Sequence, residues 1–484
     1  MKLRDVLRGV DHRIPAGEPD IDITGIAYDS RKVQEGFLFV CIDGVEDDGH
    51  KYLGKAWDNG AAAAIVTKEV DDMRGVVVMT TDARKALAGC AVNFYRNPSH
   101  ELNLIGITGT KGKTTTSFMI KTILQEAKGD CAIMGNLGIT FGDVHIDTSQ
   151  NTPQSSDLQK VLRQMVDSGV KDCVMEVTSM GLSQLRTGYT KFSTAMFTNI
   201  SRAHIGKREH TDFDEYLASK AILFSMCKDA IVNIDDEHAG YIIENAKCPV
   251  GTLSAKSDAD IMATDIKISG TGSEFTFNGL GHKFNIVVDM PGMFNVYNAL
   301  FAAASSIIAG ADEMSVRNGI RNVVVPGRCE RVPIDRNFSI MIDYAHSPDS
   351  LEKLLEAMKE FADGRVISVF GCGGDRDATM RPMMGEISGN NADFTIITSD
   401  NPRFEDPEKI TSQIEEGMKK TNGEYVVIVD RTKAIEYAIK NARENDLIIL
   451  AGKGHETYLD KMGSKTHYDE REIVAELLGK DIKA

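Results

Sequence analysis

The sequence predicts an α/β chain of three domains, and three observations carry that prediction. Its 484 residues suit about three domains at ~150 residues each. From about residue 99 to 326, short apolar runs rich in branched residues alternate with helical periodicity, as in a parallel sheet with crossover helices. From about 327 a second series follows, in which five strand-like runs each end in a polar cluster. The expected domains are therefore 1–98, 99–326 and 327–484.

Composition narrows the function. A hydrophobic share of 42% and a charged share of 26% are ordinary for a soluble globular enzyme. The net charge of −16 argues against a general nucleic-acid binder, which needs a basic surface to neutralise phosphates. MKLRDVLRGVDHRI lacks the apolar core of a signal peptide, and no run approaches ~18 apolar residues, so neither membrane insertion nor export is expected. The longest apolar stretch, Asn298 to Ala311, reads as a buried helix. Eight scattered cysteines without a C-x-x-C pair fit reduced thiols in a cytoplasmic protein and make zinc unlikely as a ligand.

Residues 1–98 carry no phosphate loop. ITGIAYDSRKVQEGFLFVCIDG alternates β-like runs with turns, and KAWDNGAAAAIV reads as helix, glycine stop and strand. Polar turns fall at Asp29-Ser30-Arg31 and from Glu46 to His50; such loops are usually just solvated. Asn97-Pro98-Ser99 reads as a linker.

The informative stretch is LNLIGITGTKGKTTTSFMIKTILQ, residues 102–125. Leu102 to Ile107 is a strand, and Phe118, Ile120, Ile123 and Leu124 have helical spacing. Between them Gly109, Thr110, Lys111, Gly112, Lys113, Thr114 and Thr115 form a phosphate cradle at a helix N-terminus. Lys113 suits the terminal phosphates of ATP, and the Thr114 hydroxyl suits magnesium. The spacing is short: Ile107 stands where a standard loop has its first glycine, and the glycines fall at Gly106 and Gly109. A plain glycine turn with a surface lysine is the bland alternative.

Downstream, DCVMEV ends near Glu176, and AMFTNIS is followed by His204. An acid and a histidine at successive strand ends beside a phosphate loop suit a metal or water near the γ-phosphate. In FDEYLASKAILFSMC, Lys220 shares the apolar stripe with Tyr216, Leu217, Leu223 and Phe224. A lysine there either snorkels at the stripe's edge or serves a function that uses its burial. Asn295 and Asn298 open another helix, where amides read a base or act as caps.

The five polar strand ends of the last domain are Asp343-Tyr344-Ala345-His346, Gly371-Cys372-Gly373-Gly374-Asp375-Arg376, Asp400-Asn401-Pro402-Arg403, Asp430-Arg431, and Gly452-Lys453-Gly454-His455-Glu456. Ligands bind outside the carboxyl ends of open parallel sheets, so these loops read as a substrate site with arginines for carboxylates. Neither GCGGDR nor GKGH spells G-x-G-x-x-G, which disfavours a nicotinamide dehydrogenase. A nucleotide switch or motor would not need this third domain.

These clusters, in this order, resemble the Mur ligases of peptidoglycan precursor synthesis, with the strongest likeness to the branch adding the third peptide residue. GITGTKGKTTT, NTP, MEVTSMGLSQLR, FTNISRAH, EYLASKAILF, MFNVYN, GRCERV, DYAHSPDSLE, VFGCGGDRD, SDNPR and AGKGHE carry it over essentially the whole chain. The resemblance implies a UDP-binding α/β domain, a central P-loop ATPase domain and a Rossmann-like domain receiving an amino acid. It implies ATP, two magnesium ions, and CO2 held as a carbamate on Lys220. It places Lys113, Glu176, His204 and Lys220 in catalysis, with Thr114, Glu176, His204 and carbamylated Lys220 as metal ligands. Asn295, Arg328, Asp343, Tyr344 and His346 would contact the nucleotide. Ser30, Asn151, Thr152, Pro153, Ser179, Gln184 and Arg186 would hold UDP-MurNAc-L-Ala-D-Glu. Arg376, Asp400, Asn401, Pro402, Arg403, Gly452 and Glu456 would hold the diamino acid. The DNPR spelling favours meso-diaminopimelate, whose second carboxylate an arginine would pair.

Ala203 stands where many relatives have aspartate, HIGKREH (204–210) is longer than the common loop, and Met180 replaces a frequent histidine. These departures bear on the second metal site and leave L-lysine or another amino acid open. A folylpolyglutamate-type ligase shares the loop but not the N-terminal domain or the DNPR and GKGHE clusters. A cytoplasmic monomer is expected.

Overall fold

The computed structural model describes residues 1–479 other than 16, 18, 45, 46, 149, 203, 204, 207, 208 and 271, and only the backbone of Phe361. The chain divides into two compact units. One comprises Met1–Thr264, Phe277–Phe284 and Tyr297–Ile320; the other comprises Asp265–Thr276, Asn285–Val296 and Arg321–Ala484.

The N-terminal part of the first unit is a parallel sheet in chain order: Gly25–Ala27, Phe37–Val40, Ala61–Val66 and Val76–Met79. Parallel neighbours require crossover connections, one of which is the helix Leu53–Asp58. The helix Ala83–Phe94, capped by the Asp82 carboxylate accepting from Lys85 N–H, packs Ala83, Ala86, Leu87 and Cys90 on Leu38, Val40 and Ile65. The expected linker is no loose tether. Pro98–His100 is a short 3-10 turn with Pro98 and Ser99 buried, and the Ser99 hydroxyl accepts from Lys191 N–H at 3.1 Å.

The same unit holds a larger sheet in the order Val250–Ser254, Cys227–Asn233, Phe192–Phe197, Asn103–Thr108, Asp172–Glu176, Ala132–Gly135, all parallel. Gly138–Phe141 and Val144–Ile146 extend it antiparallel, so the sheet is mixed where the sequence pattern predicted a parallel one throughout. Its central strands are buried on both faces, with Leu104, Ile105, Ile107, Val174, Met175, Met196 and Phe197 inaccessible to solvent, which explains their continuous apolar runs. Asn103–Thr108 lies between two strands that come later in the chain. Ile107 pairs with Glu176 and Thr108 with Phe197. The strand feeding the phosphate loop is therefore flanked by the two strand ends singled out in the sequence.

The second unit contains a doubly wound sheet. Ser339–Asp343, Leu447–Ala451, Val366–Phe370, Phe394–Ile397 and Tyr425–Val427 are parallel neighbours in that order, and Glu330–Arg331 pairs antiparallel with the first. Ile340, Ile342, Ile367, Val369, Ile396, Ile448 and Leu450 form its core with Ala434, Ile435 and Val474 from covering helices. Asp406, Asp430 and Asp469 each cap a helix through a backbone N–H. Among the described residues no helix is long and apolar enough to cross a membrane.

Candidate active site

The phosphate loop is built by glycines that no other residue replaces. Gly109 has φ +148° and Gly112, at the start of the helix Lys113–Lys128, has φ +86°. A Cβ on Gly109 would stand 2.0 Å from Thr198 Oγ1 and 3.0 Å from the Asn199 carbonyl. Neighbouring strand ends shape the loop: Thr198 Oγ1 and Asn199 Nδ2 donate to the Lys111 carbonyl at 2.8 and 3.1 Å, and Lys111 N–H donates to Asn199 Oδ1 at 3.0 Å. Gly109→Ala should therefore displace Thr198 and open the loop. We expect a loss of ATP-dependent turnover of about 100-fold or more in a protein that still folds, checked by steady-state kinetics beside a melting curve.

Two lysines converge on one carbonyl. Lys113 Nζ donates to Gly109 O at 2.8 Å and to Thr110 O at 2.9 Å, and Lys220 Nζ donates to the same Gly109 O at 2.9 Å. Lys220 is 2% exposed, and its ammonium position lies 4.5 Å from the centre of the Tyr216 ring. The Tyr216 hydroxyl in turn bonds Thr110 Oγ1 at 2.9 Å. Burial, and after it the Lys113 charge, holds Lys220 well below the ordinary lysine range. The lysine on the apolar stripe is thus inside, against the phosphate loop, and disposed to be a neutral amine.

Thr114 Oγ1 donates to Glu176 Oε1 at 2.8 Å, and Asn136 N–H reaches the same oxygen at 3.2 Å. Gly135 makes room, since a Cβ there would lie 2.3 Å from that carboxylate. A hydroxyl and a carboxylate at the mouth of a phosphate loop are hard oxygen donors that fit magnesium, which takes few protein ligands and keeps waters or phosphate oxygens for the rest. His204 lies outside the described residues, as does Ala203. Among the described residues no group of three or more His, Cys, Asp or Glu side chains is placed to hold a metal ion.

The proposed precursor contacts are only partly outward-facing. Thr152 is fully buried; its hydroxyl donates to Glu176 O at 3.1 Å and accepts from Thr178 N–H at 3.0 Å. Arg186 donates to the Thr152 backbone carbonyl at 3.1 Å and to Gln184 Oε1 at 2.7 Å, so its guanidinium rests on two neutral acceptors. Burial lowers Arg186 to about 10. Ser179 opens the helix Ser179–Ser183, capped by Thr178, and Ser30 is buried with its carbonyl accepting from Asn59 at 2.8 Å. Asn151 and Pro153 flank Thr152.

In the second unit, Arg328 stacks on Tyr344 at 4.4 Å, and Tyr344 meets His346 and His455 at 4.5 and 4.7 Å. Asp343 accepts from Cys329 N–H and Ala345 N–H, both at 2.8 Å, and therefore fixes the loop rather than facing outward. Asn295 Nδ2 donates to Pro291 O at 2.9 Å.

The Asp400–Arg403 and Gly452–Glu456 loops meet. Asn401 Nδ2 donates to Glu456 Oε2 at 2.7 Å, while Asn401 Oδ1 accepts from Lys453 Nζ at 3.1 Å and Asp460 N–H at 2.9 Å. Gly452, φ +113°, passes so near Asp400 that a Cβ would fall 2.7 Å from its carboxylate. Burial, and then the Asp400 charge, raises Glu456 above the ordinary glutamate value, while Lys453 and the Asn401 hydrogen bond pull it back. Arg403, beside Pro402, donates to Gly374 O at 3.1 Å, and Arg376 is exposed one loop away. Cations and acids in one set of loops suit a dipolar amino acid. The fully buried Lys453 of the GKGHE cluster turns inward, its Nζ donating to Asn401 Oδ1 at 3.1 Å and to the Tyr458 carbonyl at 2.6 Å. Arg431 corrects the sequence reading: it is buried away from these loops' outer face, in an ion pair with Glu470.

A phosphate loop with magnesium-type oxygens, and loops whose cations and acids suit a dipolar amino acid, fit an ATP-dependent amide ligase. Family models for the Mur ligase middle domain, the Mur ligase glutamate ligase domain and the Mur ligase catalytic domain match residues 107–306, 327–454 and 22–95. The chain belongs to the Mur ligase family. It is 46% identical to the UDP-N-acetylmuramoyl-L-alanyl-D-glutamate--2,6-diaminopimelate ligase of Caldanaerobacter subterraneus subsp. tengcongensis, over 100% of both chains. It is 42% identical to the first such ligase of Clostridium acetobutylicum, over 99% of each. A solved structure of a ligase with that name is 29% identical over 99% of each chain, with a TM-score of 0.74.

Proposed function

We propose that the chain joins meso-2,6-diaminopimelate to the γ-carboxylate of D-glutamate in UDP-N-acetylmuramoyl-L-alanyl-D-glutamate, with cleavage of ATP to ADP and phosphate. Full-length identity of 46% to a ligase of that name is the observation that carries the reading. A free carboxylate is a poor electrophile. Its oxygen therefore attacks the γ-phosphorus, ADP departs, and the resulting acyl phosphate accepts the amine at carbon. Phosphate then leaves with the C–O electron pair as the amine loses its proton.

Lys113 offsets charge on the transferring phosphoryl group. Thr114 and Glu176 would hold magnesium, which supplies further charge neutralisation. The neutral, buried amine of Lys220 supports a carbamate there, which with His204 would hold a second ion. Asn295, Arg328, Tyr344 and His346 take the nucleotide, with Asp343 setting their loop. Ser30, Asn151, Pro153, Ser179, Gln184 and Arg186 take the precursor, with Thr152 bracing them. Arg376, Asp400, Asn401, Pro402, Arg403, Gly452 and Glu456 take the diamino acid. The three segments 1–98, 99–326 and 327–484 divide these tasks.

The test is phosphate release with the UDP-dipeptide precursor, offering meso-diaminopimelate and L-lysine separately. Turnover with the first and little with the second is expected. Turnover with lysine alone would keep the ligase and overturn the amino-acid assignment; silence with both would overturn the acceptor.

A further inference from the structure

We propose that Arg431, with its buried partner Glu470, is a positioning residue for the amino-acid receptor, fixing the two loops that carry Asp400–Arg403 and Gly452–Glu456. The inference rests on the reading of that receptor given above and extends it to a residue outside the receptor.

Arg431 is the first residue of the helix Arg431–Lys440, which follows the edge strand Tyr425–Val427. Its guanidinium makes three directed contacts: Nε to Glu470 Oε1 at 2.7 Å, Nη2 to the Ala451 carbonyl at 2.9 Å and Nη1 to the Ser399 carbonyl at 3.3 Å. Ser399 immediately precedes Asp400, and Ala451 immediately precedes Gly452. The strands feeding these residues, Phe394–Ile397 and Leu447–Ala451, are separated by Val366–Phe370 and do not pair with each other. The ladder relates these strands only through Val366–Phe370, and beyond the strand ends side chains join the two outgoing loops. Arg431 bridges them at their base, and Asn401 to Glu456 bridges them at 2.7 Å further along.

Stability alone does not account for this device. Both side chains are nearly inaccessible, at 2% and 1% exposure, and Glu470 Oε2 is buried without a hydrogen-bond partner. Apolar replacement of such a pair is often neutral or stabilising, because desolvation offsets the attraction. What an apolar pair cannot supply is a rigid planar fork that sets the distance between two carbonyls. Arg403 has left-handed backbone at φ +50°, which a residue with a side chain keeps only where its surroundings hold it, and Gly452 at φ +113° supplies the turn that only glycine takes easily.

The experiment uses the full-length enzyme and the double variant Arg431→Met/Glu470→Met, which removes both charges together. We expect a melting temperature close to the wild type and a rise of about tenfold or more in KM for meso-diaminopimelate, with KM for ATP and for the UDP precursor unchanged. Hydrogen exchange should quicken in peptides covering 399–403 and 451–456. Arg431→Lys, which keeps the charge but cannot reach both carbonyls, should show part of the same effect. An unchanged amino-acid KM with unchanged exchange in a folded double variant would overturn the proposal, as would an equal rise in all three KM values. Should the double variant not fold, exchange in those peptides of Glu470→Gln decides in the same way. A wild-type enzyme inactive with meso-diaminopimelate would sink the functional reading, whereas the exchange comparison would still judge the clamp.

Discussion

Replacing Lys220 by alanine abolishes ligase turnover, by about 1000-fold or more, and millimolar bicarbonate does not restore it. The expectation follows from what surrounds the amine. Lys220 Nζ sits 2.9 Å from the Gly109 carbonyl, over the Tyr216 ring, with Lys113 on the same carbonyl and, among the described residues, no carboxylate hydrogen-bonded to Lys220. An ammonium there is opposed by desolvation and by its neighbour, so the neutral amine is favoured. A neutral amine attacks CO2: the N–C bond forms, a proton leaves, and the neutral side chain becomes an anion that Lys113 and magnesium would attract. Wild-type enzyme in CO2-stripped buffer should lose turnover and regain it with bicarbonate. A melting curve run beside the kinetics separates lost chemistry from lost fold, since deleting a buried side chain also leaves a cavity. Near-normal turnover of Lys220→Ala would remove the carbamate assignment.

Local features of this site were legible in the sequence because local rules write them. Strand, glycine turn and helix between 102 and 125 follow from apolar runs and spacing, and the structure forms Asn103–Thr108 and Lys113–Lys128 there. Helical periodicity put Lys220 on the buried face. Sheet order is different, because no local pattern encodes which strands become neighbours. The Thr114–Glu176 bond joins residues 62 positions apart, and the role of Gly135 beside that carboxylate needs the strand Ala132–Gly135 next to Asp172–Glu176. The antiparallel strands Gly138–Phe141 and Val144–Ile146 were likewise not read. Side-chain direction was the other gap. Thr152, Asp343 and Arg431 stand in the polar segments that the sequence singles out, yet their polar atoms turn inward to brace loops. Composition alone cannot tell a loop's ligand from its scaffolding.

Arg403→Met should lower kcat/KM for meso-diaminopimelate by about 100-fold, the ~3 kcal/mol expected for losing a charge-assisted, bidentate partner, while leaving the slower reaction with L-lysine unchanged. The two substrates share one amino-acid end and differ in the second carboxylate, so only a group that meets that carboxylate separates them. Arg403 is held to present such a group: its N–H donates to Asp460 O at 3.0 Å, its carbonyl accepts from Met462 N–H at 2.7 Å, and its Nη1 donates to Gly374 O at 3.1 Å. A guanidinium has five N–H donors, and Gly374 engages one side of the fork. Methionine keeps the length and faces the same left-handed backbone, so the change isolates the charge. Lysine at this position would retain the charge but lose the fork, and should recover only part of the discrimination. If instead both substrates lose turnover equally, Arg403 acts as a brace for the Gly374 loop. Selectivity would then rest on another cation, with Arg376 on the neighbouring loop the next to replace.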